Sequence, residues 1–415
     1  MYKLLILGAT YSEISVIERA KAKGIYTIVT DNNTDYSKSP AKIVADEAWD
    51  ISWSDIETLY SKSKESRING VIAGFSEFRV ENMIKLCAKL ELPCPLTIEQ
   101  LDITRDKIKF KSLCRQYGIL GVPEFKYGDD IHFPVIIKPV DRAGSIGINV
   151  VYDRKDFEEC YQYALSLSPS KNVIIEKYID DGVKFDVYYF VINGKVTLLG
   201  TSDTVMCKGT EAAPILQKAW TFPSSYEDKF VKEVDTRLRN MLKGLGIKNG
   251  YVTISAFYWN EQFYFFEAGF RLSGEHSFNY YQAFSGTNYI DLLIDYSLGI
   301  ELKQHLDEAI GNQHHSVILN FFGKDGRIKT IKLPNLEMCK SVISSNFYIK
   351  ENEEIHNATN VLKKIAMYTL YSSEPSQILN DIEYINSHLS IENENNESLI
   401  YEKVKTSSLG INAII

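Results

Sequence analysis

The chain has 415 residues, of which 45% are hydrophobic and 24% charged, and its formal net charge is −8. At roughly 150 residues per domain, this length predicts about three domains. The composition is typical of a soluble globular protein. Lysine and arginine are scattered along the chain, which argues against nucleic acid as a partner.

The six cysteines show no C-x-x-C spacing, so we expect reduced thiols. The sequence contains no uninterrupted run of about 18 apolar residues, so it does not predict a membrane span. The first apolar run, KLLIL, ends at Gly8 and precedes an amphipathic helix pattern, which favours a first strand over a signal peptide. We therefore expect a cytoplasmic protein with no membrane partner.

Strand and helix signals alternate over the first hundred residues, as in KLLIL, SEISVIERAKAK, IYTIVTD, GVIAGF and RVENMIKLCAKLE. This order predicts a parallel sheet and a Rossmann-like domain over residues 1–100. An NAD-dependent dehydrogenase is disfavoured, because the second and third fingerprint glycines would fall on Thr10 and Glu13.

A second unit follows the proline-containing connector LPCPLT. The stretch from Thr104 to Gly118 predicts one amphipathic helix capped by Thr104. Strand signals dominate afterwards, with a hairpin turn at Asn193-Gly194 and one long helix over residues 225–246. We predict a mixed α+β domain with antiparallel sheets over 101–300, a lid subdomain over about 115–178, and a smaller α+β domain over 301–415.

The segment FPVIIKPVDRAGSIGINVVYD places Lys138 at the end of a strand, before a glycine-containing loop. A Walker A loop is excluded, because Gly147 leads into a strand and not into a helix. A hairpin loop remains, in which Gly144, Ser145 and Gly147 leave backbone N–H groups accessible to an anion. The alternative interpretation is a tight turn with no ligand.

Four motifs in order resemble the ATP-grasp superfamily: Lys107 on a helix, Lys138 before the glycine loop, IIEKYI at 174–179, and FYFFEAGFRLSGEH at 263–276. The resemblance covers residues 1–300 and extends loosely beyond them. It is greatest to the group containing biotin carboxylase, the carbamoyl phosphate synthetase large subunit and phosphoribosylglycinamide synthetase.

The resemblance implies an ADP-forming carboxylate-amine ligase that uses ATP with Mg²⁺ or Mn²⁺. Such an enzyme phosphorylates a carboxylate or bicarbonate to an acyl phosphate, which an amine or other nucleophile then attacks. Its partners would be these small molecules, and a homodimer is compatible with the resemblance.

Matching positions suggest the nucleotide contacts. Lys107 and Lys138 correspond to the two phosphate-binding lysines, although a solvated helix residue is the alternative for Lys107. The resemblance assigns an adenine contact to Glu176, Lys177 and Ile179.

Many relatives carry a ribose-binding glutamate near the position of Lys184. Lys184 is therefore a departure from the family pattern. The alternative there is an alternating strand whose polar residues, Lys184 and Asp186, face water.

The metal site implied by the resemblance consists of two acids and an asparagine. Glu267 matches the second acid, but Ser255 and Gly269 stand where the first acid and the asparagine would be. A carboxylate after four aromatic residues predicts a buried Glu267 that needs a cation. A three-residue loop at 260–262 would place Ser255 opposite Glu267.

Three explanations remain for the reduced metal site. Mg²⁺ is held mainly by Glu267, phosphates and water; or an acid such as Asp203 or Glu211 contributes; or the chain is a nucleotide-binding regulatory protein with little catalysis.

The RLSGEH segment matches the region near the phosphoryl acceptor in these enzymes. Arg271 would stabilise an acyl phosphate, and Glu275 would act as a base beside His276, whereas an exposed turn is the alternative for the last two. Residues at the carboxyl ends of the N-terminal strands are acceptor-site candidates: Asp31, Gly74, Ser76 and Glu77. The segment 201–220, which we expect near the acceptor, matches no interpretable motif.

Overall fold

The computed structural model describes residues 1–141, 147–208, 215–311, 313–357 and 362–410. Of the predicted site residues, Gly144 and Ser145 lie outside these ranges, as does Glu211. Among the residues that the structure describes, no helix is long and apolar enough to cross a membrane.

The N-terminal region is a parallel four-stranded sheet in the order β3-β2-β1-β4. Its elements are β1 (Lys3–Leu7), α1 (Tyr11–Ala22), β2 (Tyr26–Thr30), α2 (Ala41–Val44), β3 (Glu47–Trp49), α3 (Ile56–Ser66), β4 (Gly70–Ala73) and α4 (Glu77–Leu90). Apolar residues fill both faces of the sheet, as expected when helices cover it. The predicted Rossmann-like sheet is confirmed.

Two helices follow where one was predicted: α5 (Ile98–Arg105) and α6 (Lys107–Gln116). They meet at Asp106, whose carboxylate accepts two backbone hydrogen bonds from the first turn of α6, at 2.9 and 3.0 Å. The predicted Thr104 cap is wrong, because the stronger cap is the aspartate two residues later. Lys107 is consequently the first residue of α6.

A small antiparallel sheet comes next, in the order β5-β8-β6-β7. Its elements are β5 (Glu124–Phe125), β6 (Val135–Pro139), β7 (Asn149–Val151), α7 (Arg154–Leu167) and β8 (Val173–Lys177). The pairing of β6 with β7 confirms that the glycine loop connects two strands of a hairpin. Phe157 of α7 packs in a separate core against this sheet.

The remaining strands are β9 (Val183–Ile192), β10 (Lys195–Lys208), β11 (Ile215–Phe222), β12 (Gly250–Trp259), β13 (Gln262–Gly269), β14 (His315–Phe322), β15 (Gly326–Arg327), β16 (Thr330–Lys332), β17 (Val342–Phe347), β18 (Glu354–Ile355), β19 (Lys364–Ser372) and β20 (Ser390–Glu392). Eight of them form one antiparallel sheet in the order β13-β12-β9-β10-β11-β14-β19-β17. The prediction of a mixed fold with antiparallel sheets is confirmed. Because β14, β17 and β19 extend this sheet, the region after residue 300 is continuous with the central one.

The later helices are α8 (Glu227–Phe230), α9 (Thr236–Gly244), α10 (Phe278–Ser285), α11 (Tyr289–Ser297) and α12 (Pro375–His388). A π-helical turn, Val231–Asp235, joins α8 to α9, so the predicted long helix is present. One face of β9 packs with α9, through Tyr189 and Leu238 among others. Tyr188 on the opposite face packs with α10 and α11, and alternation places Lys184 and Asp186 on that same face.

Candidate active site

Lys107 and Lys138 converge from two elements. The Lys107 Nζ donates to the Val140 carbonyl at 3.5 Å, just beyond the strand that carries Lys138. Burial and the charge of Lys138 lower the pKa of Lys107, while Glu267 and Glu176 act in the opposite direction. Lys138, Glu176 and Glu267, which the motifs assigned to the nucleotide or to its metal ion, therefore all lie within electrostatic reach of Lys107.

Glu176 is buried, with 1% of its surface exposed, and it fixes Lys138. Its carboxylate pairs with Lys138 and accepts a hydrogen bond from the Lys111 Nζ at 2.5 Å. Burial disfavours the charged form, but the two lysines outweigh it, so the pKa of Glu176 is lowered. The ion pair with Glu176 holds the Lys138 ammonium in place near the end of β6.

The backbone after Glu176 is already partly engaged. The Lys177 N–H donates to the Pro123 carbonyl at 2.9 Å, and the Tyr178 N–H donates to the Pro134 carbonyl at 3.1 Å. The adenine contact assigned to Glu176, Lys177 and Ile179 remains a prediction, and these two N–H groups are not free to make it.

Gly147 closes the loop at its second strand. Its φ is +76°, and a Cβ would lie 2.8 Å from a side-chain carbon of Pro139. Backbone conformation and close packing therefore both require glycine at this position. A phosphate contact by Gly147 remains a prediction.

Lys184 and Asp186 do not face water. They are 6% and 3% exposed, and the Lys184 Nζ donates to an Asp186 carboxylate oxygen at 2.6 Å. The Thr204 hydroxyl donates to the same oxygen at 2.9 Å, and the Ser255 hydroxyl donates to the other. The sequence alternative of a solvated strand is wrong here, because β9 lies inside the large sheet and the two side chains pair with each other.

Ser255 lies directly opposite Glu267, as predicted, but the turn that joins their strands differs from the predicted one. The predicted three-residue loop is wrong: Trp259 pairs with Gln262, and only two residues form the turn. A register shift between Ser255 and Ala256 restores the pairing. A β-bulge therefore compensates for the shorter turn.

Glu267 itself is exposed, so the expectation of a buried carboxylate is wrong. Its solvated position makes it available as a hard oxygen ligand for Mg²⁺. Among the described ranges, no group of three or more His, Cys, Asp or Glu side chains could hold a metal ion. The described residues therefore fit an ion held by the Glu267 carboxylate, with its remaining oxygen ligands from phosphate and water.

Asp203, proposed as a further acid, is engaged elsewhere. Its carboxylate accepts hydrogen bonds from the Ser224 hydroxyl and from the Ser225 N–H, the latter at 2.8 Å. Burial raises the pKa of Asp203, and the serine contacts oppose this. Its carboxylate would have to leave both serines to reach a metal at Glu267.

Arg271 forms an ion pair with Glu77 from the N-terminal region, with 3.1 Å between Nε and Oε1. The Arg271 Nη1 donates to the Leu272 carbonyl at 3.5 Å. Among the described contacts, Nη2 has no partner, so it could donate to a substrate oxygen. Gly269 accommodates this pair, because a Cβ there would lie 3.2 Å from the Glu77 carboxylate. The N-terminal region thus reaches the predicted acceptor segment.

Other N-terminal acceptor candidates have local roles. The Asp31 carboxylate accepts a hydrogen bond from the Asn33 N–H at 2.9 Å, within its own turn. Ser76 is the residue before α4. Gly74 packs closely against Leu272. Glu77 is therefore the one of the four that contacts the predicted catalytic segment through its side chain.

Glu275 and His276 do not form an exposed turn, so that alternative is wrong. His276 is buried, its φ is +58°, and its Nε2 has no hydrogen-bond partner among the described residues. Burial lowers the pKa of His276 to about 3, with a contribution from Lys364. Burial raises the pKa of Glu275, which Ser273 opposes and Asp186 reinforces. His276 is consequently neutral at pH 7.

Lys364, at the start of β19, lies beside the predicted acceptor segment, although no sequence motif pointed to it. Its Nζ donates to the Gly274 carbonyl at 3.1 Å, beside Glu275. Burial lowers the pKa of Lys364 to about 8, and Glu275 opposes this. No local motif identifies the residue, since it enters the site only because β19 joins the central sheet.

Comparison with known proteins places the site in a family context. Residues 131–277 match the family model described as "ATP-grasp domain". The C-terminal section of the carbamoyl phosphate synthase large chain from Aquifex aeolicus is 26% identical over 189 residues, covering 42% of this chain and 34% of that protein. A formate-dependent phosphoribosylglycinamide formyltransferase from Sulfurisphaera tokodaii is 25% identical over 270 residues, covering 61% and 66%.

A solved structure shares the fold over nearly the whole chain. The biotin carboxylase domain of the Hydrogenobacter thermophilus 2-oxoglutarate carboxylase, in complex with MgADP, ADP and bicarbonate, superposes with a TM-score of 0.77 at 18% identity. The superposition covers 94% of this chain and 91% of that one. By contrast, the sequence matches span about a third and just under two thirds of the two curated relatives.

Proposed function

We propose that the chain is an ATP-dependent, ADP-forming ligase acting on a carboxylate or bicarbonate, and the match of residues 131–277 to the ATP-grasp domain model supports this proposal. One oxygen of this acceptor attacks the γ-phosphorus of ATP, the bond to the β,γ-bridging oxygen breaks, and ADP leaves. A nucleophile then attacks the acyl carbon, and phosphate departs with the acceptor oxygen. An amine is the nucleophile that the resemblance favours.

The observation that carries the proposal is the convergence of Lys107, Lys138 and Glu267. The charges of Lys138 and Glu267 both affect the pKa of Lys107, although the three residues lie on α6, β6 and β13. Two lysines and a carboxylate ligand are the groups that a metal-bound polyphosphate requires. We assign Lys107 and Lys138 to the phosphates and Glu267 to Mg²⁺ or Mn²⁺, which would neutralise phosphate charge when bound.

The acceptor would lie among Arg271, Glu275 and Lys364. Arg271 is oriented by Glu77 and would stabilise the charge of the acyl phosphate through Nη2. The raised pKa of Glu275 suits a group that takes a proton from the attacking nucleophile. Lys364 would hold an anionic group of the acceptor, and buried, neutral His276 would shape the pocket wall.

ADP release tests this proposal. Wild type would be mixed with ATP, Mg²⁺ and a panel of bicarbonate, formate, small carboxylates and amino acids. We expect ADP to accumulate only when an acceptor is present. Arg271→Lys is the informative variant, because it retains the charge but loses the planar guanidinium donors. It should lower the rate while leaving ATP affinity unchanged.

A nucleotide sensor is the second candidate, favoured by Ser255 and Gly269 at the two positions where metal ligands were expected. It predicts ATP binding that does not depend on Mg²⁺ and no ADP release with any acceptor. These two results together would overturn the ligase proposal.

A further inference from the structure

A row of side chains that includes Glu267 crosses three neighbouring strands of the large sheet. Glu267 on β13 pairs with Ser255 on β12, and Ser255 pairs with Asp186 on β9. Neighbouring strands lie about 4.8 Å apart, so the backbones at Glu267 and Asp186 are roughly 10 Å apart. The two acids are next-nearest neighbours with a serine between them.

The acids differ in what they can still bind. Glu267 is exposed, whereas both Asp186 oxygens are occupied: one by Lys184 and Thr204, the other by Ser255. A metal ion at Asp186 would have to displace these donors and approach the Lys184 ammonium, a like charge at hydrogen-bond distance from the same carboxylate. Asp186 is therefore a partner for Lys184 and not a metal ligand.

The Lys184 ammonium has more N–H groups than its contact with Asp186 uses. It carries three N–H bonds, and its contact within the described ranges is to Asp186. Asp186 holds the ammonium in one place without using its full donor capacity. Such a group can contact a phosphate oxygen without a large loss of side-chain entropy.

A chain of contacts connects Lys184 to the phosphate lysine Lys138. Phe257 is the cross-strand partner of Lys184, and its ring stacks on Phe266 with 5.2 Å between centroids. The Lys138 Nζ lies over the Phe266 ring, 5.6 Å from its centroid. One stacked pair of phenylalanines thus links the strand position of Lys184 to the Lys138 ammonium, and Phe266 directly precedes Glu267 in the chain.

We propose that Lys184 is a fixed cation that contacts the nucleotide phosphates, and that the chain consequently binds a single divalent ion, on Glu267. This inference rests on the proposed function, since it concerns the same nucleotide site. Lys184 then supplies, as part of the protein, the positive charge that a second ion on an acid at position 255 would otherwise bring.

Manganese counting tests the proposal without reference to turnover. Wild-type protein saturated with the non-hydrolysable analogue AMP-PNP is titrated with Mn²⁺, and free Mn²⁺ is followed by its electron paramagnetic resonance signal. We expect one bound Mn²⁺ per nucleotide-loaded chain. Two bound ions with intact AMP-PNP binding would overturn the inference alone, whereas absence of AMP-PNP binding would overturn the proposed function.

Variants test the role of the lysine. Lys184→Met should weaken AMP-PNP binding about tenfold or more, as expected for loss of a charge-assisted hydrogen bond. Lys195→Met, at an exposed position on the adjacent strand β10, is the matched control and should bind normally. Equal affinity in both variants would overturn the phosphate contact.

The double variant Lys184→Met with Ser255→Asp should bind two Mn²⁺ ions, because it removes the fixed charge and introduces a carboxylate opposite Glu267. One bound ion in this variant, with AMP-PNP still bound, would overturn the claim that Lys184 stands in for the second ion. Circular dichroism spectra establish that each variant is folded before titration.

Discussion

The Ser255 hydroxyl donates a hydrogen bond to the Asp186 carboxylate across two paired strands. This contact explains how the chain keeps a polar, buried group at a position where the family pattern suggested an acid. The serine satisfies one oxygen of an aspartate that also anchors Lys184. Ser255 thus belongs to one hydrogen-bonded network with Asp186 and Lys184.

Removing Lys138 should abolish tight nucleotide binding. We expect Lys138→Ala to weaken AMP-PNP affinity by about tenfold to a hundredfold, as loss of a charge-assisted contact predicts. Calorimetric titration measures this directly. The matched control is Lys111→Met, which disturbs the same Glu176 carboxylate but is not predicted to reach the phosphates. Similar nucleotide affinities in the two variants would show that the lysines affect only the Glu176 network.

Glu267→Gln should separate metal dependence from stability. The side chain is exposed, so the free energy of unfolding should change by less than about 0.5 kcal/mol. The increase in AMP-PNP affinity on adding Mg²⁺ should disappear, because the neutral amide is a poor ligand for a hard cation. Glu261→Gln, in the exposed turn, is the control. Undiminished Mg²⁺ dependence in Glu267→Gln would refute the metal assignment.

His276 should make the protein sensitive to mild acid. Its pKa is about 3 when folded and near 6.5 when unfolded, so below pH 6.5 the unfolded state takes up a proton that the folded state does not. Stability contributed by neutral His276 is present above pH 6.5 and is lost as pH falls towards 3. The loss should be about 2 kcal/mol at pH 5.

Urea unfolding between pH 5 and 7.5 measures this effect. His276→Gln should flatten the pH dependence of the free energy of unfolding, whereas His388→Gln, at an exposed position on α12, should leave it unchanged. A pH profile of His276→Gln parallel to that of wild type would contradict the assignment of a buried, neutral imidazole.

Lys364 should react unusually early as pH rises. Burial lowers its pKa to about 8, so roughly half of the amine is neutral at that pH and able to attack an acylating reagent. Trace labelling with acetic anhydride, followed by mass spectrometry, gives the pH profile of each lysine peptide. The Lys364 profile should have its midpoint near pH 8, and the exposed Lys171 supplies the reference curve. A Lys364 profile that coincides with this reference would contradict the buried environment.

Much of the fold follows from local sequence. The β6–β7 hairpin and the first parallel sheet were predictable from apolar alternation and turn residues, and the pairing of Ser255 with Glu267 followed from spacing. The turn length did not follow, because a two-residue turn with a β-bulge and a three-residue turn without one both place Ser255 opposite Glu267.

Burial was harder to predict than pairing. Lys184 and Asp186 look solvent-facing in a strand of alternating polarity, and Glu267 looks buried among aromatic residues. The structure reverses both expectations, because burial depends on where in the sheet each strand lies: Glu267 is on the edge strand β13, whereas Lys184 and Asp186 are on the interior strand β9. Lys364 is a stronger case: it reaches the Gly274 carbonyl, beside Glu275, because β19 pairs with β14 in the large sheet, a long-range contact that no local pattern encodes.

The fate of one oxygen atom tests the central claim most directly. The carboxylate acceptor that gives ADP release would be labelled with ¹⁸O, and the phosphate formed would be analysed by mass spectrometry. Formation of an acyl phosphate predicts one ¹⁸O atom from the acceptor in each phosphate released. Phosphate whose new oxygen comes entirely from solvent water would contradict the account.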